Sequence, residues 1–251
     1  MTSYFDLSGN TALVTGSARG LGQGIALALA EAGADLICVS LTSSEETVRS
    51  AEAFGGKALG IEADLGDHSK LQGVFDEALT LTRRVDILVN NAGIIRRAPA
   101  KDHSAQDWFD VINLNLSTAF LLTQIAGRHM LERGSGKVIN ICSMLSYQGG
   151  INVPGYTASK HGIAGLTKAF ANEWAASGIQ VNGIAPGYMA TDNTAPIRSD
   201  EERTRSITDR IPAGRWGTAE DVKGPAIFLA SSASDYVNGH VLCVDGGWMA
   251  R

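Results

Sequence analysis

The sequence predicts an α/β fold: a single domain over residues 1–251, built on a seven-stranded parallel sheet with helices on both faces. Three observations point there. Short apolar runs alternate with longer stretches of helical period from one end of the chain to the other. The runs are apolar on both sides, as strands covered above and below must be. No linker or low-complexity block interrupts the rhythm.

The elements follow in order. "ALVTG" is the first strand. Behind it Leu21, Ile25, Ala28, Leu29 and Ala32 fall on one face of an amphipathic helix, which Gly33 stops. "DLICVS", "ALGIEAD" and "VDILVNNAG" supply the next strands. A long helical stretch then runs from Ala105 to Arg133, with Trp108, Val111, Ile112, Phe120 and Leu121 as apolar members. "KVINICS" leads into a second one from Tyr156 to Ser177, carrying Ile163, Leu166, Phe170 and Trp174. After "IQVNGIAPG" the alternation lapses between Pro186 and Trp216. A loop of that length inside a compact domain is read as a partly helical lid over about 187–216, anchored by Tyr188, Met189 and Ile207. "HVLCVDGG" closes the sheet, and the tail with Trp248 and Arg251 either fills a neighbouring copy's interface, which the apolar indole favours, or frays.

Composition narrows the function classes. With 44% hydrophobic residues, 29 glycines and only 6% aromatics, the chain packs a sizeable core from aliphatic side chains. A formal charge of −5 argues against nucleic acid and against an anionic membrane surface, both of which call for a clustered basic face. The start "MTSYFDLSGN" lacks the pattern of a leader and no apolar run is long enough to span a bilayer, so a cytoplasmic protein is expected. Cys38, Cys142 and Cys243 sit singly in apolar runs and read as small buried hydrophobes; with the histidines scattered, no metal site is expected.

Two clusters carry chemistry. "TGSARGLGQG" places Gly16, Gly20 and Gly22 between a strand and a helix, where glycine lets the backbone approach a pyrophosphate and the helix N-terminus offers unpaired N–H groups. Asp64 after the third strand and "NNAG" at 90–93 after the fourth reach the same edge; Asn90 and Asn91 also suit a purely local turn. After the second strand an acid would accept the ribose hydroxyls of NAD and a base the extra phosphate of NADP. The residues there, Ser40, Thr42, Ser43 and Ser44, decide neither, and Arg19 in the glycine turn can face a phosphate.

The second cluster is Tyr156 and Lys160, one helical turn apart, with Ser143 upstream. A phenol has a reference pKa of about 10, and making it a useful base near neutrality takes roughly 3 units, about 4 kcal/mol. A neighbouring ammonium in a site shielded from water favours the phenolate. Tyr156 is thus read as the proton-exchanging group, Ser143 as the hydrogen-bond donor to the same substrate oxygen, and Asn115 as a residue binding a backbone carbonyl or a water that relays the proton. Alone, a Tyr-x-x-x-Lys pair is usually an ordinary surface pair; its coincidence with the glycine turn and "NNAG" on one sheet is what points to a site.

Together "TGSARGLG", "NNAG", the Asn115, Ser143, Tyr156 and Lys160 set and "IAPG" resemble the short-chain dehydrogenase/reductase family over essentially the whole chain. The resemblance implies a seven-stranded Rossmann fold, a homotetramer, and NAD or NADP held by Gly16, Ser17, Arg19, Gly20, Leu21, Gly22, Ser40, Asp64, Leu65, Asn91, Ala92, Gly93, Tyr156, Lys160, Pro186, Gly187, Met189 and Thr191. Further runs, among them "NNAGIIRR", "SMLSYQGG", "GYMATDNT", "RIPAGRWG" and "VDGGWMAR", are similar to the sugar-acid dehydrogenases of that family. That closer resemblance implies a secondary alcohol and a ketone interconverted on a sugar acid, and it leans to NAD. Arg96, with Arg97 beside it and Arg215 as a rival, is the candidate for the substrate carboxylate; Gln148, Asn152 and Tyr188 are candidates for its hydroxyls. A 3-oxoacyl reductase or polyol dehydrogenase would share this machinery, and a dinucleotide-binding sensor without turnover is the rival from another class.

Overall fold

The structure, a computed structural model, describes residues 4–250. Seven strands form one parallel sheet: β1 (Thr11–Thr15), β2 (Asp35–Ser40), β3 (Ala58–Glu62), β4 (Ile87–Asn90), β5 (Gly136–Ile141), β6 (Ile179–Pro186) and β7 (Val241–Val244), in the order β3-β2-β1-β4-β5-β6-β7. Between them run α1 (Gly20–Glu31), α2 (Glu45–Glu52), α3 (Leu71–Thr82), α4 (Ala105–Ile112), α5 (Thr118–Arg133), α6 (Pro154–Trp174), α7 (Ala195–Arg198), α8 (Glu201–Arg210) and α9 (Ala219–Ala230). The strand order turns back between β1 and β4, and such a switch point opens a crevice at the carboxyl ends of the strands.

The period of two along each strand divides the core into halves. Ala12 and Val14 of β1, Leu36 and Cys38 of β2, and Ile87 and Val89 of β4 face Ile25 and Leu29 of α1 and Val222 and Leu229 of α9. Their neighbours Leu13, Ile37, Val39 and Leu88 face the other way, against Phe75 of α3, Leu122 and Met130 of α5 and Phe170 and Trp174 of α6. Each fully buried Leu or Ile contributes about 1.5–3 kcal/mol, so the doubly apolar strands are what commit the chain to a covered parallel sheet.

Four expectations need correction or refinement. The stretch from Ala105 to Arg133 is not one helix, because a π-helical turn over Asn113–Ser117 separates α4 from α5. Apolar periodicity tolerates one extra residue in a turn, so the pattern could not reveal the break. The helix carrying Tyr156 begins two residues earlier than expected, at Pro154, a residue suited to a first helical turn. Cys243 is exposed, unlike Cys38 and Cys142, because β7 is an edge strand. Trp248 is 4% exposed and packs inside its own chain instead of projecting toward a neighbour; Arg251 lies outside the described residues.

The segment after β6 is an excursion with a closed neck. Gly217 donates its N–H to Tyr188 and accepts from Ala190, so the chain leaves and returns at one point. Between lie α7 and α8, and Ile207 of the second and Ile211 just beyond it pack against Met144, Tyr188 and Trp248.

Candidate active site

At the carboxyl end of β1 the backbone turns under constraint. A Cβ on Gly22 would lie 2.1 Å from the Gly16 carbonyl oxygen and 2.4 Å from Asn91 Nδ2, so only glycine fits there. Gly20, in the left-handed region at φ 61°, has nothing within 4 Å of where a side chain would begin. The N-terminus of α1 has neither a side-chain cap nor an acidic residue in its first turn. An open approach over uncapped helix N–H groups suits a pyrophosphate, so the residues present fit a dinucleotide.

The turn is braced from below. Asn91 donates through Nδ2 to the carbonyls of Thr15 (2.9 Å) and Gly16 (3.1 Å), while Thr15 Oγ1 accepts from the amides of Asn91 and Ala92. Ser40 is 4% exposed and its Oγ accepts the Ala18 amide at 3.0 Å, so it supports the glycine turn rather than facing outward. Thr47 Oγ1 donates to the Ser17 carbonyl, a brace that sequence reading missed because it joins α2 to a loop 30 residues away. Asp64 and Gly93 are exposed, Leu65 is buried and Leu21 and Ala92 are half-buried at the same edge. Arg19, at the mouth, pairs with Asp192 beyond β6 at 3.5 Å. Met189 is buried in the core against Gly217. Pro186 is buried, with Gly187 and Thr191 half-buried beyond it.

Beyond β5 lie the residues expected to react. Lys160 is 6% exposed; its Nζ donates to the Ile141 carbonyl at 2.5 Å and lies 5.5 Å from the Tyr156 ring centre. Ser143 caps the turn Met144–Ser146, its Oγ accepting the Leu145 amide, and Ser146 Oγ in turn donates to the Lys160 carbonyl at 2.7 Å. Asn115 sits in the π turn, which swings its amide onto Ile94 just beyond "NNAG": Nδ2 donates to the Ile94 carbonyl at 2.9 Å and Oδ1 accepts the Ile94 amide at 2.8 Å. Ser159, fully buried, links Asn115 Nδ2 to the Tyr156 carbonyl. Ser146 and Ser159 had no sequence signal beyond their nearness to the tyrosine, because Ser146 meets a carbonyl of α6 and Ser159 joins its own helix to the Asn115 side chain of the π turn. Burial pushes the Cys142 thiol up to about 11, so that neighbour of Ser143 is an inert packing group.

The substrate candidates scatter. Arg96 faces α4, pairing with Asp107 at 3.4 Å and Asp110 at 3.9 Å, both on the protein surface. Arg215 forks onto Asp221 at 2.8 and 2.6 Å, and this guanidinium holds the Asp221 carboxyl well below the usual carboxylate range. Arg96 and Arg215 are therefore already engaged by protein acids. Asn152 is exposed and in the left-handed region at φ 63°; its carbonyl accepts the Ala98 amide. Gln148 is half-buried. Tyr188 stacks edge-on against Trp216 and Trp248, at 5.2 and 4.8 Å between ring centres.

A Rossmann-like sheet with a glycine turn, a helix-borne Tyr-x-x-x-Lys and a serine after β5 defines a class, and comparison agrees with it. A family model described as enoyl-(acyl carrier protein) reductase matches residues 16–249. The chain belongs to the short-chain dehydrogenase/reductase family and is an oxidoreductase. It is 61% identical over 250 residues to the 2-dehydro-3-deoxy-D-gluconate 5-dehydrogenase of Bacillus subtilis, covering 98% of this chain and 97% of that one. The enzyme of the same name in Escherichia coli is 53% identical, with 99% of each chain covered. The crystal structure of a gluconate 5-dehydrogenase from Burkholderia cenocepacia in complex with NADP and tartrate superposes with a TM-score of 0.94 at 41% identity, over 99% of this chain and 98% of that one.

Proposed function

We propose that the protein is an NAD(P)-dependent dehydrogenase that interconverts a secondary alcohol and a ketone on a sugar acid of the 2-dehydro-3-deoxy-D-gluconate or 2-deoxy-D-gluconate type. The observation that carries this reading is the convergence of Asn115, Ser143, Tyr156 and Lys160 beside an uncapped helix N-terminus, in a chain with sugar-acid dehydrogenase relatives along its whole length. When bound, the nicotinamide accepts or returns the hydride. Tyr156 takes the hydroxyl proton as the carbinol is oxidised and returns it on reduction; Ser143 hydrogen-bonds the same oxygen and holds it in line. The Lys160 charge stabilises the negative charge that develops on the phenol oxygen, an effect strengthened by its burial. Asn115, which binds the Ile94 carbonyl, is the residue read as holding a water that relays the proton outward from Lys160.

NADP is the better-supported cofactor. No carboxylate stands at the end of β2, Ser40 is turned beneath the glycine loop, and Arg19 presents a guanidinium at the mouth. The leaning to NAD drawn from resemblance finds no support in these residues. The segment after β6 serves as the substrate lid. Half-buried Leu116, Phe120, Leu121 and Leu166 leave an apolar groove on the outer face of α5 and α6, and it supports a homotetramer. Three free cysteines suit the reducing cytoplasm.

The test is turnover on a panel of sugar acids, polyols and 3-oxoacyl thioesters with each dinucleotide, followed by nicotinamide absorbance. Sugar-acid oxidation with NADP favoured over NAD is expected. Turnover confined to the 3-oxoacyl thioesters overturns the reading.

A further inference from the structure

With Arg96 and Arg215 engaged by protein acids, another cation is open to the carboxylate of a sugar acid. Tyr188, immediately beyond β6, and Met144, next to Ser143, border an aromatic cluster completed by Trp216, Trp248, Ile207 and Ile211. The guanidinium of Arg210, the last residue of α8, lies over the Trp248 ring at 3.9 Å. Stacking uses the flat face of the guanidinium and leaves its in-plane N–H groups pointing outward. Arg210 makes no hydrogen bond or ion pair with another described residue, in contrast to Arg96 and Arg215. The indole is just as unsatisfied. Trp248 is 4% exposed, and its Nε1–H is buried without a partner among the described residues. Buried N–H groups are nearly always paired, so this one is open to an acceptor from outside the chain, a substrate oxygen or a water.

Resting on the sugar-acid reading above, we propose that Arg210 and the Trp248 indole N–H form the subsite that receives the substrate carboxylate. The lid brings the first group on α8 and the C-terminal tail brings the second, and their stacking holds both beside Tyr188 and Met144 at the Ser143 side of the site. The cation meets the anion through a planar fork, and the indole adds one directed donor. A neutral polyol offers no anion to the fork, so the pair selects acids over polyols.

Three proteins are compared on a sugar acid and on the matching polyol, in which the carboxylate is reduced to an alcohol: wild type, Arg210→Met and Trp248→Phe. Met keeps the length and stacking of the side chain without charge, and Phe keeps the ring without its N–H. For the acid, Arg210→Met should raise KM roughly 10- to 100-fold and Trp248→Phe about 3- to 10-fold, with kcat within a few-fold of wild type. KM for the polyol should not move, and NADP affinity measured by fluorescence titration should stay at the wild-type value. An unchanged ratio of acid to polyol kcat/KM in Arg210→Met overturns the subsite, as does an equal loss on both substrates, which marks a purely structural contact. If Arg210→Met does not fold, Trp248→Phe decides by the same ratio. A wild type inert on every sugar acid would instead refute the functional reading, a result separate from either variant's.

Discussion

At the scale of single residues, the chemistry rests on groups whose surroundings are made by backbone atoms. Lys160 is buried and holds the Ile141 carbonyl, Ser146 ties the Ser143 amide to the Lys160 carbonyl, and Ser159 ties Asn115 to Tyr156. Tyr156 is the one phenol among these groups, so Tyr156→Phe should lower kcat by about 10²–10⁴-fold, the usual share of general acid–base catalysis. Dinucleotide affinity, measured by fluorescence titration, should stay within a few-fold of wild type. Undiminished turnover would remove Tyr156 from the reaction, and intact dinucleotide binding in a wild type without turnover would support a sensor. The tyrosine, lysine, serine and asparagine were legible from residue type and spacing. The bracing serines were not, because a hydroxyl whose partner lies on another element, as Ser146 has in Lys160 and Ser159 has in Asn115, leaves no pattern along the chain.

Between elements, the two ends of the sheet divide the labour. The carboxyl ends carry the site, and the amino ends carry a buried ionic junction at the entrance to β4. Asp86, 5% exposed, accepts from Arg84, from Arg133 at the end of α5, and from the Thr11 amide at the start of β1. Burial alone would raise its carboxyl, but the hydrogen bonds from Arg84, Arg133 and Thr11 outweigh it and hold the group below its ordinary value. An unfolded chain therefore binds more protons than the folded one below the ordinary carboxyl value of about 3.9, so the junction's contribution is complete above that pH and fades as pH falls through the lower folded value. Asp86→Asn should cost about 2–3 kcal/mol at neutral pH, less than a fully buried pair because Arg84 stays half-exposed, and should flatten the acid dependence. Urea unfolding at neutral and acid pH measures both, with kcat unchanged. The π turn shows the limit of periodicity at this scale: the run from Ala105 to Arg133 is apolar on one side throughout, and the extra residue that points Asn115 at Ile94 is invisible in it.

For the whole molecule, the outer face of α5 and α6 is the surface a homotetramer would cover. The groove lined by Leu116, Phe120, Leu121 and Leu166 is apolar in a chain with a net charge of −5, and such faces are rarely left to solvent. Sedimentation equilibrium should give the mass of four chains. Phe120→Asp, which sets a charge in that groove, should shift the mass toward smaller species while the far-ultraviolet circular dichroism stays that of the wild type. An unchanged mass would place the interface elsewhere.

The sequence by itself determined the parallel sheet and the kinds of residue at the strand ends, because burial on both faces and tight strand-to-helix turns are local demands that residue type must meet at each position. Which arginines remain available was decided by tertiary structure alone. Arg96, Arg210 and Arg215 are equivalent as letters, and only the packing of α4, α8 and α9 gives the first and third a carboxylate and leaves the second over Trp248 with no acid partner among the described residues. A charge's partner is set by distance in space, and separation along the chain does not encode it.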